Sequence, residues 1–302
     1  MQPTELKAIC SSMINAAIEA GAMIARTTPD QAGIVSKKNS TDIVTEVDQH
    51  VEHFLRVSLL LAYPDIRFLG EESHDQNSSI TDDPTFIVDP IDGTSNFVHG
   101  FPDVGVSIGL ASEQEAIIGV VYNPVREELW YAVKGQGAFR RVGTAPEQRL
   151  PLSRSALEGL QSACVGIEFG SDREGPNFEF NMAVFDKLLR TKKTGGRFVN
   201  SLRATGSAAI AICRVASTQQ DAFWECGSWA WDVAAAWCIL LEAGGCMVDG
   251  HPGNWNPPLD NRRYLAVRPA ISGQKEFVEE FWSTFGDRRS SYGPPQESEK
   301  AQ

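Results

Sequence analysis

No two of the six cysteines form a CxxC pair. Cys10, Cys164, Cys213, Cys226, Cys238 and Cys246 are scattered, several within apolar runs. That excludes a zinc ribbon or a disulfide framework as the organising device and reads as buried free thiols in a reducing compartment. No apolar run approaches the about 20 residues of a membrane span. The N-terminus lacks the basic start of a signal peptide and carries Glu5, Lys7 and Glu19 inside its apolar pattern. The expected location is therefore the cytoplasm, with no membrane partner. Basic residues are outnumbered, 27 against 39 acidic, for a net charge of −12. Such a surface disfavours nucleic-acid backbone as a partner and attracts cations. There is no internal repeat, and no low-complexity tract before the polar tail "RRSSYGPPQESEKAQ".

What is present is an ordinary globular composition, 42% apolar and 22% charged over 302 residues. That suffices for one large domain or two packed lobes. Leu6, Ile9, Met13, Ala17, Ala20 and Ile24 predict a helix over 4–26. A second helix is expected over 42–62, capped by Thr41, with Val44, Val47, Val51, Phe54, Leu55 and Leu59 inward. "IRFLG" and "TFIVD" read as strands that deliver Glu71, Glu72 and Asp89 to their ends. Residues 104–141 read as a strand meander, and the turn-rich stretch 142–158 as a lobe boundary. Beyond it strands and helices alternate: "SACVGIEF", a helix over 177–190, a helix over 205–216, "DAFWE", a helix over 230–243, "CMVDG", "YLAVRP" and a helix over 272–284. The expectation is an α+β protein with helices layered on sheets. Its N-terminal lobe would span 1–150, its C-terminal lobe 151–285, and a disordered tail 286–302.

The chemistry concentrates in "FIVDPIDGTSNFVHGFP", 86–102. Clustered carboxylates without Cys or His favour hard divalent cations such as Mg²⁺, Mn²⁺ or Ca²⁺. Asp89 at a strand end and Asp92 in the following turn can share one crevice, Pro90 stiffening the link and the Ile91 carbonyl adding an oxygen. Gly93 permits a tight turn, and Thr94 and Ser95 open a helix or turn whose free N–H groups suit a phosphate. Metal ligands beside an anion cradle are what phosphoryl transfer needs. "LGEES", 69–73, supplies Glu71 and Glu72 after another strand, and Asp232 begins the apolar helix in "WECGSWAWDVAAAWCILLEAGG". Val233, Ala236, Trp237, Leu240 and Leu241 would face the core there.

Together "DIVTEVDQHVE", "FLGEES", "DPIDGTSNFVHGFP" and "WDVAAAWCILLEAGG" resemble the inositol monophosphatase family, in a fungal-like version, over roughly residues 5–285. The resemblance implies a layered αβαβα sandwich of two tightly packed lobes, a homodimer, and Mg²⁺-dependent, Li⁺-sensitive hydrolysis of phosphate monoesters such as inositol phosphates. By that pattern Glu71, Asp89 and the Ile91 carbonyl hold a first Mg²⁺, and Asp89, Asp92 and Asp232 a second. Asp48, Glu71 and Thr94 position the attacking water. Gly93, Thr94 and Ser95 cradle the phosphate, Asp92 and Asp232 also line the substrate site, and Gly206, Ser207, Ala208 and Glu225 contact the alcohol. The segment 168–198 is longer and more charged than in the plainest members, which bears on substrate identity.

Three other readings compete. An aspartyl-nucleophile phosphatase would place its two aspartates one residue apart, whereas Pro90 and Ile91 both intervene here. A 3′-phosphonucleotide or sugar-bisphosphate phosphatase needs extra cations, for which Lys192, Lys193, Arg197 and Arg203 are available. A non-catalytic regulatory relative would keep the fold without the chemistry. His50, His53, His74 and His251 read as surface, packing or loop residues, His99 as a support for the phosphate turn, and the tryptophans as core or dimer contacts. The stretch 27–42, with Lys37 and Lys38, is a candidate flap over the metals.

Overall fold

The computed structural model describes residues 1–27, 45–74 and 80–293, and the backbone of 35–36 and 43–44. Strands β1 (Val35–Ser36) and β2 (Ile43–Val44) form a short antiparallel ribbon. A seven-stranded sheet follows in chain order: β3 (Arg67–Gly70), β4 (Thr85–Asp92), β5 (Gly105–Ser112), β6 (Glu115–Asn123), β7 (Glu128–Val133), β8 (Gly137–Val142) and β9 (Gln148–Arg149). Only the β3–β4 pair in it is parallel. A five-stranded mixed sheet contains β10 (Cys164–Ile167), β11 (Ser201–Arg203), β12 (Ala222–Cys226), β13 (Cys246–Asp249) and β14 (Arg263–Val267), in the spatial order β11-β10-β12-β14-β13. The helices are α1 (Pro3–Arg26), α2 (Glu46–Ala62), α3 (Thr94–His99), α4 (Gly175–Leu189), α5 (Ala208–Ala216), α6 (Ala230–Ala243) and α7 (Gln274–Trp282).

Three apolar clusters bind five layers. One joins α1 and α2 to one face of the first sheet through Met13, Val51, Leu55, Phe86 and Ile108. The central one holds α5 and α6 between the two sheets, with Ile87, Trp130, Ile212, Val233 and Phe223. The third packs α4 and α7 on the far face of the second sheet through Val184, Leu188, Trp224, Val278 and Phe281. The result is the αβαβα sandwich. By length and composition α1 would pass for a membrane span, but its apolar face lies on the first sheet, with Ile9, Met13, Ala17, Ala20 and Ile24 buried.

Several elements depart from the sequence reading. The second helix begins at Glu46, not at 42, and its cap is Thr45; Thr41 and Asp42 lie outside the described residues. The β-branched pair Ile43-Val44 is extended, and Thr45 and Asp48 form a reciprocal capping box that starts the helix after it. Leu241 points outward, 48% exposed, while its neighbours Leu240 and Ala243 stay buried in the central layer. Strand β11 is absent from the sequence reading, its three residues carrying no alternation long enough to read. Of the tail expected to be disordered over 286–302, residues 286–293 are ordered, because Ser290, Ser291 and Tyr292 bond His251, Asn177 and Asp172; Lys37, Lys38 and residues 294–302 lie outside the described residues.

Candidate active site

The parallel register of β3 and β4 pairs Gly70 with Val88, so Glu71 emerges beside Asp89, its N–H donating to the Val88 carbonyl at 3.1 Å. Next to this, β4 contains a bulge: Asp89 pairs with Ser107 but Asp92 with Gly105. Residues three apart on a regular strand face opposite sides. The extra residue turns both aspartates toward the central helix layer while Ile91 stays in the outer core. From that layer comes Asp232, in the first turn of α6, its Oδ2 accepting the Trp229 N–H at 2.6 Å. Carboxylate oxygens of Glu71, Asp89 and Asp232 lie within 4.8 Å of one another.

Asp92 stands beside this group but has a second engagement. Its carboxylate receives the Ser207 hydroxyl (2.6 Å) and the N–H groups of Ala209 (2.7 Å) and Ala208 (3.3 Å), capping α5. Predicted alcohol-site residues Ser207 and Ala208 therefore meet the metal-site aspartate directly. Gly206 abuts the phosphate turn: a Cβ on Gly93, at φ +98°, would lie 3.0 Å from the Gly206 carbonyl and 2.9 Å from that of Asp103. Glycine is required there on both conformational and steric grounds. Thr94 Oγ1 is 3.1 Å from both Asp48 Oδ1 and the Ile91 carbonyl. Asp48 is in turn held by the backbone N–H and hydroxyl of Thr45. Ser95 is exposed in the first turn of α3, its carbonyl bonded to His99 Nδ1 at 2.7 Å. Glu225, on β12, is partly buried near Asp92 and Asp232.

Electrostatically the site is strained by like charge. Burial, then the charges of Glu71, Asp92, Asp232 and Asp48, holds Asp89 well above the ordinary carboxylate range. Burial, then Glu71 and Asp92, does the same to Asp232. Asp92 is pushed up to about 7, chiefly by burial and against its three hydrogen bonds. Asp48 is raised by burial, with Glu71 adding to it, and Glu225 rises to about 8 through burial and the nearby Glu168. An all-oxygen donor set in which Asp89, Asp92 and Asp232 resist ionising fits a hard divalent cation, whose charge reverses each of these shifts.

Four supporting residues were not picked out from the sequence. Thr45 orients Asp48. Glu52, buried one helical turn after Asp48, fills the space a Gly70 side chain would take and accepts the Glu72 N–H at 2.6 Å. Asn96 ties the phosphate turn to the loop before α5 by donating to the Asp103 (2.8 Å) and Thr205 (2.7 Å) carbonyls. Glu168 accepts the N–H groups of Thr205 (2.6 Å) and Gly206 (2.9 Å). Glu52 left a signal, an acid four residues from Asp48 on a buried face, and Thr45 left the local spacing of a capping box three residues before Asp48; Asn96 and Glu168 reach the loop before α5 across long sequence separations. Of the cations considered for a second phosphate, Arg197 bonds Ser283 at 2.5 Å, and Lys192, Lys193 and Arg203 are exposed.

The profile of the inositol monophosphatase family matches residues 5–287. This chain belongs to the inositol monophosphatase family. Inositol monophosphatase 2 of Saccharomyces cerevisiae is 46% identical over 253 residues, 82% of this chain and 83% of its own. Inositol monophosphatase 1 of Homo sapiens is 36% identical over 264 residues, 87% and 90% respectively. Among solved structures, the extragenic suppressor protein suhB of Bartonella henselae superposes with a TM-score of 0.75 at 27% identity, covering 93% of this chain and 99% of that one. Like other inositol monophosphatase family members, the chain is a metal-dependent hydrolase of phosphate monoesters. Family membership removes the aspartyl-nucleophile reading, and the acidic cluster, together with relatives named as monophosphatases, speaks against the non-catalytic one.

Proposed function

We propose that the protein hydrolyses inositol monophosphates to inositol and phosphate with Mg²⁺. The observation that carries this reading is the Glu71–Asp89–Asp232 oxygen cluster adjoining the Asp48–Thr94 pair. Glu71, Asp89 and the Ile91 carbonyl would hold one ion, and Asp89, Asp92 and Asp232 another. Bound there, Mg²⁺ supplies positive charge for the phosphate dianion and acidifies a water for in-line attack. The residues do the rest. Thr94 donates toward Asp48 and keeps a lone pair for the water's proton, which Asp48, already raised by burial, takes up through that hydroxyl. Glu71 also positions the water. The N–H groups opening α3 at Gly93, Thr94 and Ser95 receive phosphate oxygens. Gly206, Ser207, Ala208 and Glu225 receive the polyol hydroxyls, Glu225 serving as donor or acceptor since it titrates near 8.

The six free thiols support placing the protein in a reducing compartment such as the cytoplasm. The homodimer follows from the family resemblance and is tested by sedimentation velocity. The function is tested by phosphate release with Mg²⁺ or with EDTA from inositol 1-phosphate, a 3′-phosphonucleotide and fructose 1,6-bisphosphate. The highest kcat/KM is expected for inositol 1-phosphate, abolished by EDTA and lowered by Li⁺. A higher kcat/KM for either of the other two would replace the inositol assignment.

A further inference from the structure

We infer that Ser291 is a phosphorylation site for an arginine-directed serine kinase, and that its phosphate releases a C-terminal strap clamping the substrate side of the active site. The inference rests on the active-site reading above. After α7 the chain returns across the second sheet as Ser290–Gly293. Ser290 N–H donates to His251 Nε2 (3.1 Å), Ser291 N–H and Oγ to Asn177 Oδ1 (2.8 and 3.1 Å), and Tyr292 OH to Asp172 Oδ2 (2.7 Å). Arg263 Nη1 donates to the Tyr292 carbonyl at 2.6 Å.

The Tyr292 ring lies over the loop that joins Glu225 to Asp232. A Cβ on Gly227 would touch that ring at 3.3 Å, and the Arg262 guanidinium lies 5.1 Å from its centroid. The same guanidinium stacks 3.5 Å over Trp229 and donates to the Gly227 carbonyl at 2.8 Å. Trp229 N–H in turn holds Asp232. Tyr292, Arg262 and Trp229 therefore form a continuous stack from the strap to a site carboxylate.

The sequence around the strap is "RRSSY". Arg288 and Arg289 are exposed and stand three and two residues before Ser291, a spacing that an acidic kinase groove reads as paired cations. Ser291 is exposed, whereas Ser290 is buried with its hydroxyl against His251. That difference selects Ser291 as the acceptor. In the transfer, Ser291 Oγ loses its proton and bonds the γ-phosphorus of a nucleoside triphosphate. The bond from that phosphorus to the bridging oxygen breaks, and the nucleoside diphosphate leaves. The product brings roughly −1.5 to −2 charge. Its Oγ no longer donates to Asn177 Oδ1, leaving only the backbone N–H there, and Asn177 joins the new charge to the Asp172 carboxylate, which accepts from Asn177 Nδ2 at 3.2 Å and from Tyr292. Repulsion there lifts Tyr292 from Arg262, and the 227–229 loop loses its cover.

The full-length protein is treated with an Arg-Arg-x-Ser-directed kinase and ATP. Phosphate is mapped by mass spectrometry, amide exchange of 224–230 is followed, and kinetics on inositol 1-phosphate are measured with Mg²⁺. One phosphate is expected on Ser291 and none in Ser291→Ala, with faster exchange in 224–230. KM should rise about fivefold or more while kcat changes far less. Tyr292→Ala should reproduce the KM rise without phosphate, and Tyr292→Phe, which keeps the stack, only part of it. Phosphate on Ser290, no phosphate, or an unchanged or lowered KM and exchange rate at full Ser291 occupancy overturns the inference. An unmodified protein inactive on every phosphate monoester overturns the functional reading instead, and mapping with amide exchange still judges the strap.

Discussion

Asp89 shares a buried space with four other carboxylates, and its own carboxylate accepts one hydrogen bond among the described residues, from the Ile91 N–H at 2.9 Å. It is the residue for which charge and function pull hardest in opposite directions. Asp89→Asn should abolish metal-dependent phosphate release, beyond the roughly 100-fold typical for loss of an outer-sphere partner. The same variant should raise the metal-free melting temperature at pH 8, because one repelling charge is gone; calorimetry in EDTA checks this. A fall in that temperature would mean that the carboxylates do not repel as argued. Thr45→Val removes both the helix cap and the hydroxyl, one of the two donors that orient Asp48. It should lose about 1 kcal/mol of stability and roughly 10–100-fold in kcat, read by urea melts and steady-state kinetics. At this scale Asp89, Asp92 and Glu71 were legible because their residue types sit at strand ends. Thr45 was not, since it competes as a cap with Thr41, four residues earlier in "NST", until Ile43-Val44 is seen to be extended.

At the scale of elements, α6 decides the site as much as β4 does. The helix lies directly on the first sheet: a Cβ on Gly119 would fall 2.0 Å from the Ala235 carbonyl, and one on Gly109 would meet Ala234 at 3.1 Å. The run Ala234-Ala235-Ala236 on α6 and the paired glycines on β5 and β6 are two halves of one close approach. Gly119→Val should push α6 away from the sheet, destabilising the protein by about 1–3 kcal/mol or more. Because Asp232 rides on that helix, the Kd for Mg²⁺ should rise in the same variant, measurable by isothermal titration calorimetry. A loss of stability with unchanged Mg²⁺ affinity would mean that Asp232 is placed independently of the helix. The long amphipathic helices and the meander strands were readable from period alone. The bulge between Asp89 and Asp92 was not, since it is defined by the partner strand's register.

For the whole molecule, the raised carboxylates link folding, protons and metal. Unfolded Asp and Glu titrate near about 4, whereas Asp92 titrates at about 7 and Glu225 at about 8 in the folded protein. Between those limits the folded state binds more protons than the unfolded one, so stability falls as pH rises. In EDTA the melting temperature should therefore drop from about pH 5 to about pH 8, and added Mg²⁺ should raise it more at pH 8 than at pH 5. A metal-free melting temperature that climbs across this window would contradict the buried-charge account. Phosphatase activity should rise over the same interval as protons leave the ligands.

The sequence by itself determined the residue chemistry: hard oxygen ligands at two strand ends and one helix start, a glycine-hydroxyl turn beside them, and the apolar periods of the longer helices and of the meander strands. These depend on local spacing, which the chain carries without reference to its folding partners. Only the tertiary structure decided that Glu71 lies beside Asp89, through a parallel register, and that a bulge brings Asp92 to the same face. It also decided that Asp92 caps α5 and that Tyr292 covers the loop before Asp232. Those contacts join residues up to more than a hundred positions apart, and no local pattern specifies which distant backbone group a side chain will meet.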